Sequence, residues 1–347
     1  MQGKVRSVAI QGDGVAAYCC AHLLKAQGYR VILDRSARSR IPAILLSEAS
    51  LALIRDIFGR PDLFRNLPKI QQRVVVWGDD SRNESAKRRM LEHSGVVVSE
   101  EFLVENLRQG IESEDSLALG QGDAKADWSI CASQPLPASV TERRFGTRIA
   151  SAVPVELRDG FDLRACWIES LEDGWLFLMP VAHARGWLLS VGRSAEFLLG
   201  RSVAIAGQIA QVHGVERAFP SSPRIVTPLC EPGWLACGTA AMAFDPICGD
   251  GTAYAIREAI LASAVVGSAL RGESVERLLS HYETRLTAGF QRHLEVCRQV
   301  YQSGHRGPWW STQLESLGHG LEWCAGKTGG QPAFHYRLKG LELQTVG

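Results

Sequence analysis

The sequence predicts an α/β protein, a Rossmann-like dinucleotide-binding domain interrupted by an interleaved α+β unit. Three observations predict it. A glycine turn joins a strand to a helix in the first residues. A second run of small residues leads into a long apolar helix after residue 250, and the stretch between them is rich in strands.

The first element is carried by VRSVAIQGDGVAAYCCAHLLKAQGYRVILD. Val5 to Ile10 reads as a buried strand, the next helix places Ala17, Ala21 and Leu24 inward, and Gly28 ends it before a strand that finishes on Asp34. The turn reads G-x-G-x-x-A in the strand–turn–helix setting that gives the motif its meaning. Gly12 permits the tight turn, Gly14 lets a pyrophosphate approach the backbone, and Ala17 keeps helix and strand close. The free N–H groups of Val15, Ala16 and Ala17 then face the phosphates. Asp34 stands about twenty residues on, where a carboxylate accepts from the ribose hydroxyls of an adenosine. Arg35, Arg38 and Arg40 belong near the adenosine or pyrophosphate, or else form an exposed basic face.

The second element is LACGTAAMAFDPICGDGTAYAIREA, from Leu235. A strand ends at Gly238, a loop passes Asp245-Pro246, and Gly249 and Gly251 open a helix running to Leu270. It resembles the second flavin-contact motif of the FAD-dependent aromatic hydroxylases and flavin-dependent halogenases. The matching residues are Gly238, Ala240, Ala241, Asp245, Pro246, Gly249 and Gly251. The resemblance implies FAD as cofactor. It also implies contacts from Thr239, Asp245, Pro246, Gly249, Asp250, Gly251 and Thr252 to the flavin half, with backbone N–H groups stabilising its anionic edge when reduced.

GDAKADWSICASQPLPASVTERRFG resembles the family's third fingerprint through Ala132, Ser133, Ser139 and Arg143. Trp175, Phe177 and Pro180 fall on a spacing similar to the W-x-W-x-I-P of halogenases, although an aromatic hairpin facing a core gives the same pattern. Three residues depart from the family. Thr239 stands where Asp usually holds the ribityl chain, Asp250 puts a carboxylate beside the flavin's anionic edge, and Gln134 replaces a glycine.

The activity implied is FAD-dependent monooxygenation of an aromatic or unsaturated substrate through a C4a-hydroperoxyflavin. Some relatives act in this way on tryptophan in a partner protein. Electrons come from NAD(P)H directly or from a separate flavin reductase. A halogenase, a degenerate flavin-fold binding protein without catalysis, and an NAD-dependent dehydrogenase are the alternatives. Lys69 before Trp77 resembles the halogenase lysine in its spacing, or is a solvated lysine; His183 is a base or substrate contact, or a turn histidine. Trp309 and Trp310 roof a pocket or staple the tail.

Composition narrows the remaining classes. The 347 residues are 46% hydrophobic and 22% charged, with a formal net charge of +1, which gives no general attraction to nucleic acid or anionic lipid. The nine cysteines include no C-x-x-C pair and are expected to be reduced, buried thiols without a metal. The chain opens almost directly on a strand and reads as lacking a signal or membrane-spanning stretch, so a cytoplasmic protein is expected. The expected plan assigns 1–68, 96–142 and 223–272 to the FAD-binding domain and 69–95 and 143–222 to the substrate domain. A helix is expected near 201–213, and 273–347 forms a compact helical tail.

Overall fold

The computed structural model describes residues 5–35, 39–78, 88–109, 111, 126–249, 251–329 and 334–346. The chain begins with β1 (Ser7–Gln11), α1 (Val15–Ala26) and β2 (Arg30–Asp34). β3 (Ile44–Ser47) runs straight into α2 (Glu48–Phe58), whose first turn is capped by the Ser47 hydroxyl accepting from the Ser50 N–H. β4 (Lys69–Val76), β5 (Arg88–Val98) and α3 (Glu100–Arg108) follow, then β6 (Trp128–Cys131) and β7 (Thr141–Arg144). The middle of the chain holds β8 (Ile149–Leu157), then a meander of β9 (Ala165–Leu171), β10 (Gly174–Pro180) and β11 (Arg185–Val191), with β8 paired to β11, and the short α4 (Ala195–Leu199). Short strands β12 (Ile209–Val212), β13 (Arg217–Pro220), β14 (Arg224–Thr227), β15 (Cys230–Glu231), β16 (Trp234–Ala236) and β17 (Met242–Ala243) precede the long helix α5 (Gly251–Leu270). α6 (Val275–Gln302), α7 (Pro308–Thr328) and the hairpin of β18 (Tyr336–Lys339) and β19 (Glu342–Thr345) complete it.

Among the described residues the strands form four sheets. The nucleotide-type sheet has the order β15-β16-β6-β1-β2, parallel throughout except for β15. Parallel strands need helical crossovers, and α1 supplies the one between β1 and β2. The largest sheet runs β12-β8-β11-β10-β9-β4-β5-β3, with β13 also paired to β8. The third sheet is β17-β14-β7, and the fourth is the terminal hairpin.

Four expectations about elements are corrected. The plan places all of 1–68 with the FAD-binding domain, but β3 pairs antiparallel with β5, Ile44 opposite Val98, and so belongs to the large sheet. The stretch 201–213 is not a helix. The buried Glu169 carboxylate of β9 accepts from the N–H groups of Val203 and Ile205, both at 2.9 Å, and so ties this stretch to the large sheet. A short 3-10 turn over Ala206–Gln208 and β12 follow instead. The tail ends in a hairpin, not helices alone. Finally, α5 is long and apolar enough to cross a bilayer, with 83% of its apolar window buried inside the protein. Its apolar residues face α1, α2 and α6, a core position that explains why it is hydrophobic almost all round.

Candidate functional site

One cavity of about 580 Å³ lies between the nucleotide-type sheet and the large sheet. On one side it is lined by Gly14, Val15 and Ala16 at the start of α1 and by Gly249, Gly251 and Thr252 at the start of α5. α2, α3, α4 and α6 each begin on a serine whose hydroxyl accepts from the first turn. α1 begins on Gly14 and has no side-chain cap, so its first N–H groups stand at the cavity without that partner. An anion is the ligand such an end favours.

The backbone approaches closely at this point because small residues allow it. Gly238 has φ +60°, and a Cβ there would lie 2.6 Å from the Ala16 methyl, so only glycine lets the turn after β16 pack on α1. The Gly12 N–H donates to the Asp34 carbonyl at 2.8 Å, tying the end of β2 to the glycine turn. Arg40 reaches over the turn, donating to the carbonyl and the carboxylate of Asp13. The Tyr18 hydroxyl donates to the same carboxylate at 2.5 Å, and burial followed by that bond holds it protonated.

The opposite wall belongs to the large sheet. Phe177 and Met179 of β10 and Trp187 and Leu189 of β11 alternate onto one face and line the cavity with Ala152 of β8. Ile41 to Leu45 cover another side, and Phe219 to Ser221 add to it. Phe244 also lines it and stacks on Tyr254 of α5 at 4.2 Å between ring centres. The lining is mostly apolar with a few polar groups, the usual make-up of a small-molecule site.

The polar groups are specific. Glu258 of α5 is 5% exposed; its Oε2 accepts from the Gly238 N–H at 2.8 Å, while Oε1 has no hydrogen-bond partner. Burial, the largest influence, pushes this carboxyl well above the ordinary carboxylate range. Arg224 donates to the Thr239 carbonyl and lies 3.3 Å from the Glu142 carboxylate, and Glu142 pairs with Arg144 at 2.6 Å. All four line the cavity. Arg73 of β4 stands beside the turn into α5: its Nη2 lies 3.5 Å from where a Cβ on Gly249 would be, and its guanidinium lies 5.6 Å from the Phe177 ring centre.

Beneath the Pro246 turn lies a buried network. The Asp245 carboxylate accepts from Ile247 N–H at 2.9 Å and Tyr301 hydroxyl at 3.0 Å, and it pairs with Arg148 at 2.9 Å with both side chains wholly buried. Burial works against the Arg148 charge, but Tyr301 and Asp245 outweigh it and raise its pKa. Trp175 Nε1 donates to the Tyr301 hydroxyl at 3.2 Å, joining β10 to α6.

The expected site residues divide accordingly. Gly14, Val15, Ala16, Thr239, Asp245, Pro246, Gly249, Gly251 and Thr252 meet at one cavity. Gly12 and Ala17 pack just behind it, while Asp34 is exposed at the end of β2 with Arg35 next to it. Arg38 and Asp250 lie outside the described residues. Asp245 reaches the cavity, but its carboxylate is engaged by Arg148, so it holds the turn rather than facing a ligand. Lys69 and His183 are not brought to the cavity. Lys69 is the exposed first residue of β4, and His183 occupies the exposed β10–β11 turn at φ +52°. The cation that β4 does bring to the turn is Arg73. In the third fingerprint, strand alternation turns Glu142 and Arg144 to the cavity instead of Arg143, and Ser139 is exposed. Trp310 is fully buried and donates to the Leu171 carbonyl at 2.9 Å, so the tryptophan pair staples the tail. Sequence reasoning missed Glu258, Arg224 and Arg73; only the period of α5 and the alternation of β4 and β14 carried a signal for them.

Comparison with solved structures gives this arrangement a fold. No protein-family model matches the sequence. No curated protein matches it either. QhpG, a peptidyl tryptophan dihydroxylase essential for tryptophylquinone cofactor biogenesis, superposes with a TM-score of 0.71 at 18% identity, over 99% of this chain and 86% of that one. The chain has the fold of flavin-dependent hydroxylases and halogenases. CmlS, a flavin-dependent halogenase, gives 0.71 at 16% identity, over 93% of this chain and 70% of that one. HpxO of Klebsiella pneumoniae, in complex with FAD and uric acid, gives 0.62 at 16%, over 94% and 93%.

Proposed function

We propose that the protein is an FAD-dependent monooxygenase acting on an aromatic substrate. The observation that carries this reading is the meeting of the two glycine turns, at the starts of α1 and α5, on one cavity walled by aromatic side chains. The residues fit FAD. The uncapped start of α1 suits the pyrophosphate, the close approach of Gly238 and Ala16 leaves the floor free of side chains, and the unpartnered Glu258 Oε1 offers a polar contact. Gly12, Gly14 and Asp34 would hold the adenosine half, with Thr239, Pro246, Gly249, Gly251 and Thr252 along the flavin half. Bound and reduced, FAD supplies the electron pair that activates O₂ for transfer of one oxygen atom to substrate.

The chain's own residues do the rest. Phe177, Met179, Trp187 and Leu189 orient a flat substrate and exclude water. Arg73 and the N-terminus of α5 favour negative charge at the turn. Glu258, its carboxyl pushed upward by burial, accepts from the Gly238 N–H and presents its unpartnered Oε1 to the cavity. QhpG acts on a peptidyl tryptophan, which supports either a small aromatic molecule or a partner protein's side chain as substrate. Hydroxylation is favoured over halogenation because no lysine among the described residues lines the cavity. Reducing electrons would come from NAD(P)H or a separate reductase.

Titration with oxidised and then reduced FAD, followed by visible spectra as oxygen is admitted, tests this. Binding with a protein-shifted flavin spectrum and a transient species during reoxidation is expected. Failure to bind FAD in either redox state removes the proposal, and tight NAD binding by a colourless protein replaces it with a dehydrogenase.

A further inference from the structure

Behind the turn that opens α5, three side chains converge that the proposed oxygenation does not use. Cys248, one residue before Gly249, has its Sγ 3.6 Å from the Sγ of Cys297 on α6. The Cys297 Sγ in turn lies 3.3 Å from His293 Nε2, one helical turn away on the same helix. Of the nine cysteines, eight are buried and Cys248 alone is half-buried, so it is the one that solvent reaches first. Cys297 is wholly buried behind it.

These atoms lie close enough together to hold a soft metal ion. The hydrogen bonding argues against that use. His293 Nε2 accepts from the Asp245 N–H at 2.8 Å, and the neighbouring Asp245 carboxylate is bound to Arg148. A metal would have to displace that N–H and leave it buried without a partner, which costs about 1–3 kcal/mol. Two sulfurs in contact, one reachable and one enclosed, suit a different chemistry.

We propose that Cys248 and Cys297 form a peroxide-sensitive dithiol that closes to a disulfide behind the turn into α5. The oxidant is a hydroperoxide of the hydrogen peroxide class. In the first step the Cys248 thiolate attacks one peroxide oxygen: an S–O bond forms, the O–O bond breaks, and the departing hydroxide takes up a proton to leave as water. In the second, the Cys297 sulfur attacks the Cys248 sulfur: the S–S bond forms, the S–O bond breaks, and hydroxide leaves with the Cys297 proton as a second water. The two sulfurs together lose two electrons and the peroxide gains them. Hydrogen bonding from Cys297 is the main influence that lowers the Cys248 pKa, to about 6, and Cys297 itself is pushed up by burial; the half-buried, more accessible member is therefore the nucleophile. Cys19 and Cys237, fully buried with thiols pushed well above the ordinary range, are internal controls that should stay reduced.

Graded hydrogen peroxide added to the purified full chain, followed by alkylation and non-reducing peptide mass spectrometry, tests the pair. The expected result is a Cys248–Cys297 linked peptide, formed before any other cysteine reacts and fully reversed by a thiol reductant. Cys297→Ser should instead accumulate a sulfenic acid at Cys248, trapped by dimedone. Should that variant not fold, the wild-type map decides alone. Oxidation of other cysteines while Cys248 and Cys297 stay unlinked would overturn the proposal. So would a full equivalent of zinc in the purified protein that protects both thiols until it is chelated. Since the peroxide is added and no flavin is needed, failure here is distinguishable from failure of the FAD reading.

Discussion

At the residue scale, the most constrained position is Asp245. Its carboxylate neutralises a wholly buried Arg148 and holds the Ile247 N–H, so Asp245→Ala would leave a guanidinium uncompensated in the core. A loss of about 3–5 kcal/mol in urea unfolding is expected, a size that a surface ion pair would not reach. Glu258 carries a different prediction, through pH. Its folded pKa lies well above the ordinary 4.5, so the folded state keeps a proton that the unfolded chain releases. Stability from this group is therefore full below the unfolded pKa and declines as pH rises toward the folded one. Glu258→Gln keeps a neutral acceptor for the Gly238 N–H, and denaturation across mildly acidic to mildly alkaline buffers should show a shallower decline than wild type. For Cys248 the sign is opposite, since its pKa is lowered: the thiolate is present above about pH 6 and lost below it. Its alkylation, followed peptide by peptide, should reach half its limiting rate near that pH, and a midpoint in the usual thiol range would contradict the contact with Cys297.

At the element scale, the site is made by two helix starts and the turn after β16. Gly238→Ala places a methyl against Ala16 and forces a left-handed backbone on a residue with a Cβ. The backbone alone costs about 1–2 kcal/mol. Fluorescence titration should show weaker FAD binding, alongside a lower melting temperature; unchanged affinity would mean that the turn does not touch the cofactor. The local grammar of these elements was legible beforehand. Gly12, Gly14 and Ala17 between two strand patterns announced β1–α1–β2, and Pro246 with Gly249 announced the turn into α5. The stretch 201–213 departs from the expected helix because nothing local reveals that Glu169, more than thirty residues earlier, takes its N–H groups.

At the scale of the molecule, the cavity exists because α1 and α5 pack together under one sheet while β10 and β11 of the other face them. A ligand that bridges both sheets should stabilise the whole chain. FAD at roughly 100 times its Kd is expected to add about 2.7 kcal/mol to unfolding, and removing it by dialysis should reverse the gain in thermal melts. The sequence by itself determined that a dinucleotide turn and a second small-residue turn exist, because glycine spacing and strand–helix periodicity are local properties that neighbouring residues enforce. Only the tertiary structure decided which charged groups meet there. Arg73, Arg224 and Glu258 come from three distant segments, Lys69 and His183 are left in solvent, and Cys248 is set against Cys297. Such meetings depend on strand order and helix packing, which bring together residues whose separation along the chain carries no mark of their contact.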